Sequence, residues 1–139
     1  MISSVLVPMD DSEMAEHALT YALGAFPDAE ITVLTVVGKP SPLLGQQTAI
    51  ALADDPEAKA TERAQPVFDR ARDLAADHDT TVATRVEIGH PARVIVTHAE
   101  DFDTVVIGSH SGTMSERLMV GNVAERVFRR SPVPVTVVR

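Results

Sequence analysis

Short apolar runs alternate with amphipathic segments along this chain, and that alternation limits the possible folds more than any other feature of the sequence. The runs are rich in β-branched residues and nearly continuous, which is typical of strands buried on both faces of a parallel sheet. The predicted strands cover residues 2–7, 31–37, 81–88, 104–107 and 133–138, and the predicted helices cover about 13–26, 56–77, 91–100 and 121–130. This βαβαβαβαβ order predicts an α/β fold with a single doubly wound, mostly parallel five-stranded sheet flanked by helices.

Local signals mark several of the predicted helix ends. Asp11 and Ser12 are both suitable N-cap residues for the first helix. Pro91, delivered by the turn at Gly89 and His90, suits the first position of the third helix. Pro66 lies inside the second predicted helix, so we expect either a kink there or a later start of the helix.

Two long stretches join the predicted elements without a clear period. Residues 38–55 are predicted to form an irregular connection with a short helical piece at 49–52, and residues 109–120 form a second one. Long loops in compact domains often serve as lids or partner surfaces. The run at 81–88 alternates between apolar and polar residues, which predicts a more exposed strand at the edge of the sheet.

The composition excludes several classes of site and partner. The length of 139 residues suits one domain spanning residues 1–139. The chain has no cysteine, which excludes disulfides, thiolate zinc sites and cysteine nucleophiles. The sequence contains no stretch of membrane-spanning length and no typical signal peptide, so a cytoplasmic location is expected.

The charge balance is strongly acidic. Twenty acidic residues oppose 12 basic ones, for a net charge of -8, which argues against non-specific nucleic-acid binding. Lys39 and Lys59 are the only lysines. Acid-rich, lysine-poor chains suit a high-salt cytoplasm, where screening reduces self-repulsion. A halophilic protein and an ordinary acidic protein therefore both remain open.

Two polar segments are predicted to meet at one edge of the sheet. In open parallel sheets, ligands bind beyond the carboxyl ends of the strands, where the strand order reverses. Residues 8–12 follow the first predicted strand, and residues 108–112 follow the fourth. The turn at His90 and Pro91 should lie near the same edge, and the N–H groups that open the last helix are a ready anion site.

The second of these segments resembles the nucleotide motif of the universal stress protein family. That motif consists of Gly, two residues, Gly, nine residues, Gly, and then Ser or Thr. Gly108 and Gly121 match its first and third glycines, whereas Ser111 and Asn122 replace the second glycine and the Ser or Thr. The resemblance extends from Val-Leu-Val-Pro-Met-Asp at 5–10 to Ser-Pro-Val-Pro-Val at 131–135.

The resemblance implies a Rossmann-like fold of the adenine-nucleotide alpha-hydrolase type and a dimeric regulator of the stress response that binds ATP. Asp10 and Asp11 are candidates to help hold Mg²⁺ through the bound triphosphate, because Mg²⁺ sites usually use one or two carboxylates together with phosphates. Asp10 would contact the ribose or adenine side of the nucleotide, and the backbone of Val36 would contact the base. The final strands of two subunits would pair across a twofold axis to form the homodimer. The implied nucleotide-binding set is Asp10, Val36, Gly108, Ser109, His110, Ser111, Gly112, Gly121 and Asn122.

Each of these residues also has a purely structural interpretation. Asp10 suits a turn acceptor, Gly108 a tight strand exit and Gly121 a helix start. Asn caps helices about as well as Ser, so Asn122 suits the start of the last helix. The alternative function is therefore that of a universal stress protein that binds no nucleotide and acts as a dimeric association module.

Two other classes of protein fit the sequence less well. A phosphoacceptor receiver domain requires an aspartate after the third strand and a lysine after the fifth, and the sequence has neither. Enzymes of related fold that activate substrates with ATP carry lysine- or histidine-rich motifs. Neither loop at the site's edge contains a lysine, so few groups are available to stabilise the charge of a transferring phosphate. The sequence contains no Gly-x-Ser-x-Gly elbow, so no catalytic residue is predicted and slow ATP hydrolysis is the upper limit of activity.

Overall fold

The computed structural model describes residues 1–38, 55–110 and 121–139, and within these ranges the chain forms five strands and four helices. The strands are β1 (Ser4–Pro8), β2 (Glu30–Val37), β3 (Ala83–Ile88), β4 (Thr104–Gly108) and β5 (Val135–Val138), and the helices are α1 (Glu13–Ala25), α2 (Pro56–Asp77), α3 (Pro91–Ala99) and α4 (Asn122–Arg130). The helical piece predicted at 49–52 and the connection predicted at 109–120 lie almost wholly outside the described residues.

All neighbouring strands in the sheet run parallel. The strand order is β3-β2-β1-β4-β5. The predicted doubly wound α/β sheet is thus confirmed, and it is entirely parallel in the part of the chain that is described. β3 lies at one edge, as its alternating pattern predicts, and β5 lies at the other. Connections leave β1 and β4 in opposite directions, so the strand order reverses between these two central strands.

Each face of the sheet packs against two helices. On one face, buried side chains of α1 and α2, such as Leu19 and Phe68, cover Val5 and Val33. On the other face, α3 and α4 cover the opposite side of β1, β2 and β4 through a second buried cluster. Its members are Leu6, Leu34, Ile95, Ala99, Val105, Ile107, Ala124 and Val127. Central strands buried on both sides explain why their sequence is continuously apolar.

The helix ends follow the capping signals in most places. Ser12 is the N-cap of α1, and its hydroxyl accepts a hydrogen bond from Ala15 N at 3.2 Å. Pro91 occupies the first position of α3. α2 begins at Pro56 and continues through the exposed Pro66, so the alternative of a later start is wrong. The side chain of Asp55 caps α2 instead, accepting from Ala58 N at 3.1 Å.

The start of α4 agrees with the interpretation of Gly121 as a helix start and differs from that of Asn122 as a cap. Gly121 is its N-cap residue, and Asn122 is the first helical residue, so Asn122 does not cap the helix. Two apolar residues of this helix, Val123 and Phe128, are exposed, whereas Ala124 and Val127 face the core. The buried side of α4 therefore consists of Ala124 and Val127 alone among the residues of this helix.

A carboxylate joins the chain start to the loop before β4. Asp103 Oδ2 accepts hydrogen bonds from Ser3 N at 2.8 Å, Ser3 Oγ at 2.9 Å and Ser4 N at 3.1 Å. The backbone N–H of Ser3, followed by the other donors, lowers the pKa of Asp103 because these bonds favour the charged form. None of the helices in the described ranges is long and apolar enough to cross a membrane.

Candidate functional site

A cavity of about 610 Å³ lies where the strand order reverses, beyond the carboxyl ends of β1 and β4. Its wall is mainly apolar and is formed by strand ends and by the first turns of α3 and α4. The apolar side chains include Leu34, Val36, Pro91, Ile95 and Ile107, and the polar ones are Asp10, Ser12, His110 and Asn122. A mostly apolar cleft with a few converging polar groups is typical of small-molecule sites.

The turn between β1 and α1 forms one side of this cavity. Met9 N donates to Leu34 O at 2.8 Å, and Thr35 Oγ1 donates to Met9 O at 3.1 Å, so the turn is held to β2. Asp10 Oδ1 accepts from Ser12 N at 2.9 Å. Asp10 is therefore a turn acceptor, as one interpretation of the sequence had it, and its exposed carboxylate also lines the cavity.

Two glycines allow close backbone approaches around the cavity. A Cβ carbon at Gly108 would lie 2.9 Å from Met14 Cγ and 3.0 Å from Met14 O. A Cβ carbon at Gly121 would lie 3.2 Å from Ser109 O and 3.3 Å from His110 Cα. Any side chain at position 108 would push α1 away from β4, and one at 121 would crowd the segment that follows β4.

Ser109 and His110 are buried polar residues that follow β4. Gly121 N donates to Ser109 O, and Ser109 N donates to Val138 O at 2.7 Å, so this segment joins the start of α4 to the end of β5. Ser109 Oγ and both ring nitrogens of His110 are buried and have no hydrogen-bond partner among the residues that the structure describes. Such groups are rare in folded proteins and call for a partner. His110 lines the cavity, so a ligand there is a candidate partner.

The first turn of α4 supplies backbone donors to the same cavity. Glu125 N donates to Gly121 O at 2.9 Å, which is the first hydrogen bond of the helix. The N–H groups of residues 122–124 therefore have no acceptor within the helix. These three residues line the cavity. Helix N-termini attract anions because of these free donors and the helix dipole.

The end of β2 supplies a further backbone group. The pairing of β2 with β1 ends at Leu34, whereas its pairing with β3 continues to Val37. Leu34 O accepts from the β1 side, and Val37 O accepts from Gly89 N on the β3 side. Because successive residues of a parallel strand turn their peptide groups to alternate neighbours, Val36 turns its N–H and C=O toward the side where β1 has already ended. That side is the cavity.

The cavity brings together most of the predicted site residues. Asp10, Val36, Gly108, His110, Gly121 and Asn122 line it, and so does Pro91. Ser109 is fully buried beside them and does not line the cavity, and Ser111 and Gly112 lie outside the described residues. Sequence reasoning missed the apolar wall, notably Ile95 and Ile107. The available signal was that apolar residues at strand ends and first helical turns face the edge where the polar loops meet.

The described lining carries little charge. Asp10 is its carboxylate and His110 its imidazole, and it contains no lysine or arginine among the residues that the structure describes. Those residues also contain no group of three His, Asp or Glu side chains arranged to hold a metal ion. Within the described lining, the groups suited to bind an anion are the backbone N–H groups at the start of α4 and His110.

Sequence comparison finds related proteins over the full length of the chain. The model of the universal stress protein family matches residues 1–139. Universal stress protein MJ0577 of Methanocaldococcus jannaschii is 29% identical over 155 residues, which cover 100% of this chain and 96% of that protein.

Solved structures with the same fold include close matches in shape. The structure of MJ0577 superposes with a TM-score of 0.79 at 28% identity and covers 99% of this chain and 96% of its own. Universal stress protein UspA from Lactobacillus plantarum gives a TM-score of 0.78 at 25% identity, and the match covers 99% of this chain and 98% of that chain. A universal stress protein solved in complex with cAMP gives a TM-score of 0.70 at 25% identity, and the match covers 99% of this chain and 97% of that chain.

Proposed function

The chain belongs to the universal stress protein family, and from that premise we propose that it is a cytoplasmic regulator in the stress response that binds an adenine nucleotide, with ATP as its ligand. The observation that carries the proposal is the cavity at the strand-order reversal, where backbone donors at the start of α4 converge with an imidazole that has no partner among the described residues. The proposal takes residues 1–139 as one universal stress protein domain. A relative at 25% identity was solved with cAMP, which supports a nucleotide of the same base.

The base would bind at the end of β2. The peptide N–H of Val36 would donate to adenine N1, and its C=O would accept from the exocyclic amine. Guanine would present an N–H in place of adenine N1 and a carbonyl oxygen in place of the amine, so neither would match the N–H and C=O of Val36 in this orientation. The apolar side chains of Leu34 and Ile95 lie in the same cavity and would cover the faces of the ring.

The ribose and phosphates would extend toward β4 and α4. Asp10, exposed at the mouth, suits a hydroxyl donor of the ribose because a carboxylate only accepts hydrogen bonds. The free N–H groups of residues 122–124 and the ring of His110 suit a phosphate. Mg²⁺ commonly takes one or two carboxylates together with phosphate oxygens, so Asp10 also fits a Mg²⁺ ion that arrives with the nucleotide.

We propose that two chains pair through β5 to form a homodimer. β5 lies at an edge of the sheet among the described strands, and all four of its residues are half-buried. An apolar edge strand is prone to pair with another chain unless it is covered. Sedimentation at micromolar concentration tests this pairing, and a purely monomeric protein would contradict it.

Release of bound nucleotide tests the ligand. The purified protein is denatured and its supernatant analysed by anion-exchange chromatography, and the stripped protein is titrated with ATP by calorimetry with and without Mg²⁺. We expect Asp10→Ala and Gly121→Ala each to weaken binding by about tenfold, since each removes or displaces a group that touches the ligand. Asp28→Ala and Gly24→Ala are the matched controls, because both positions are exposed and neither lines the cavity.

The result also separates the two candidate functions. Copurified adenine nucleotide, or saturable binding that is weakened in the two site variants and not in the controls, supports the nucleotide-binding regulator. A protein that releases no nucleotide and gives no heat at high ATP concentration contradicts it. In that case the dimeric association module is the remaining function, and hydrolysis needs no further test.

A further inference from the structure

His110 is an ionisable side chain that the fold encloses beside the cavity. It follows β4, lines the cavity and keeps only 9% of its surface exposed. Its ring nitrogens, Nδ1 and Nε2, have no hydrogen-bond partner among the residues that the structure describes. Histidine is the residue type that ordinarily changes charge close to neutral pH, so a ligand that meets this ring can change its protonation.

The backbone places His110 against the start of α4. Gly121 N donates to the carbonyl oxygen of Ser109, the residue before His110. A Cβ carbon at Gly121 would lie 3.3 Å from His110 Cα and 3.5 Å from His110 Cβ. The first N–H groups of α4 have no acceptor within the helix. An anion that accepts from these N–H groups would therefore lie beside His110.

Few other charged groups face His110 in the part of the chain that the structure describes. Asp10, from the turn between β1 and α1, is the other ionisable side chain of the described lining. The described lining from β2, β4 and α3 is apolar, and the first turn of α4 contributes the neutral Asn122. Glu125 lies outside the lining and pairs with Arg129 at 3.2 Å. Carboxylates ordinarily titrate below about pH 5, so in this lining only a histidine is of the type that changes charge between about pH 6 and pH 8.

We propose that His110 takes up a proton from solvent when a phosphate-bearing ligand binds, so that the affinity of the cavity for such a ligand rises as the pH falls. This proton uptake rests on the proposed adenine-nucleotide function and makes that site sensitive to pH. A protonated imidazole donates from both ring nitrogens and needs an acceptor for each. A phosphate supplies acceptors and the opposite charge, neither of which the described residues bring to the ring.

The direction of the effect follows from the charge of the ligand. A negative charge within about 4–6 Å favours imidazolium over imidazole, so the bound protein holds more protons than the free protein. A lower pH therefore favours the bound state, and a higher pH releases the ligand. A nucleoside carries no phosphate, so its affinity should not depend on pH. Each pKa unit gained on binding changes the affinity by at most about tenfold.

Titration calorimetry of the stripped protein with two ligands tests this proton uptake. The methyl ester of AMP is a phosphodiester with one fixed negative charge between about pH 6 and pH 8, whereas adenosine has no phosphate. We expect the native protein to bind the ester about fivefold or more tightly at pH 6 than at pH 8, and to bind adenosine equally at both. Titration in buffers of different ionisation enthalpy should show proton uptake with the ester and none with adenosine.

Two histidine variants assign the proton to a residue. His110→Gln keeps a hydrogen-bond donor and removes the ionisable ring, so its affinity for the ester should not depend on pH. His90→Gln is the matched control, because His90 is exposed and lies outside the cavity lining, and it should keep the native pH dependence. Circular dichroism checks that both variants are folded, and the proton uptake of the native protein is measured without any substitution.

The outcomes separate the proton uptake from the nucleotide site itself. If the native protein binds the ester and adenosine with affinities that do not depend on pH, the proposal for His110 is wrong and the nucleotide site stands. A pH dependence that persists in His110→Gln, or that is lost in His90→Gln, assigns the proton to another group and also overturns the proposal. If neither ligand binds at either pH, the proposed nucleotide-binding function is contradicted, and the proposal for His110 with it.

Discussion

Gly108, the last residue of β4, lies so close to Met14 in the first turn of α1 that a Cβ carbon on it would come within 2.9 Å of Met14 Cγ. The same Cβ would lie 3.0 Å from the Met14 carbonyl oxygen, which cannot move without the helix. The contact holds the start of α1 against β4. It thereby sets the position of the Asp10 turn relative to the segment that carries Ser109 and His110.

Gly108→Ala should therefore lower both stability and ligand affinity. We expect a loss of roughly 1–3 kcal/mol in the free energy of unfolding, because overpacking a close contact forces the backbone to shift. Gly24→Ala is the control: its Cβ meets nothing within 4 Å, and in the exposed part of α1 it should stabilise the protein by about 0.5–1 kcal/mol. Urea unfolding measures both, and native stability in Gly108→Ala would show that α1 is not held at this contact.

Local signals in the sequence predict most of the elements. Strand runs, the Ser12 cap and the position of Pro91 depend on neighbouring residues, so they can be recognised before the fold is known. The position of the site at the edge of the sheet can also be predicted from the sequence. Gly108 marks the end of β4, and Gly121 marks the start of α4. The α/β topology brings the carboxyl ends of the parallel strands to one edge of the sheet.

Other features depend on which elements become neighbours. Helical periodicity predicts that Val123 and Phe128 are buried with the other apolar residues of α4. Whether they are buried depends on which elements pack against the helix. The hydrogen bonds of Asp103 with Ser3 join residues 100 positions apart, and no local pattern indicates them. The ring nitrogens of His110 are buried without a partner among the described residues, and no local pattern in the sequence indicates this burial.

Base recognition through the backbone predicts that changing the side chain of Val36 leaves the preference for adenine unchanged. We expect the stripped protein to bind adenosine more tightly than inosine by about tenfold, since inosine reverses the donor and acceptor that a peptide group would read. Val36→Ala should retain that preference because the peptide group is unchanged. Competition calorimetry measures both ratios. If the preference for adenosine disappears in Val36→Ala, the side chain recognises the base. If the native protein binds the two nucleosides equally, the backbone of Val36 does not recognise the base.

The Asp103 carboxylate predicts an acid-dependent loss of stability. Its pKa is lowered by the N–H of Ser3 and then by the remaining donors. An unfolded aspartate titrates near 3.9, so above about that pH the folded state gains from the charged carboxylate. The gain is lost as the pH falls through the lower folded value. Urea midpoints of the native protein and Asp103→Asn should therefore differ at neutral pH and converge in acid, and a difference that is independent of pH would contradict this assignment.

The acidic surface predicts a dependence of stability on salt. If the composition reflects a high-salt cytoplasm, the thermal midpoint should keep rising as KCl increases into the molar range. In an ordinary acidic protein, the midpoint should reach a plateau by about 0.2 M, where the Debye length is already below about 10 Å. Thermal unfolding followed by circular dichroism distinguishes the two cases. A plateau would reject the halophilic interpretation and leave the fold and the site unaffected.

The unpartnered imidazole of His110 predicts opposite effects on stability and binding. Its buried nitrogens lack partners among the described residues, and an unsatisfied buried polar group costs about 1–3 kcal/mol. His110→Leu should therefore leave the free energy of unfolding unchanged or raise it by about 1 kcal/mol, because leucine needs no hydrogen bond. The same variant should weaken AMP binding by about tenfold while adenosine binding stays the same, if the ring contacts a phosphate. Lower stability without ligand, together with unchanged AMP affinity, would make His110 a packing residue of the cavity wall.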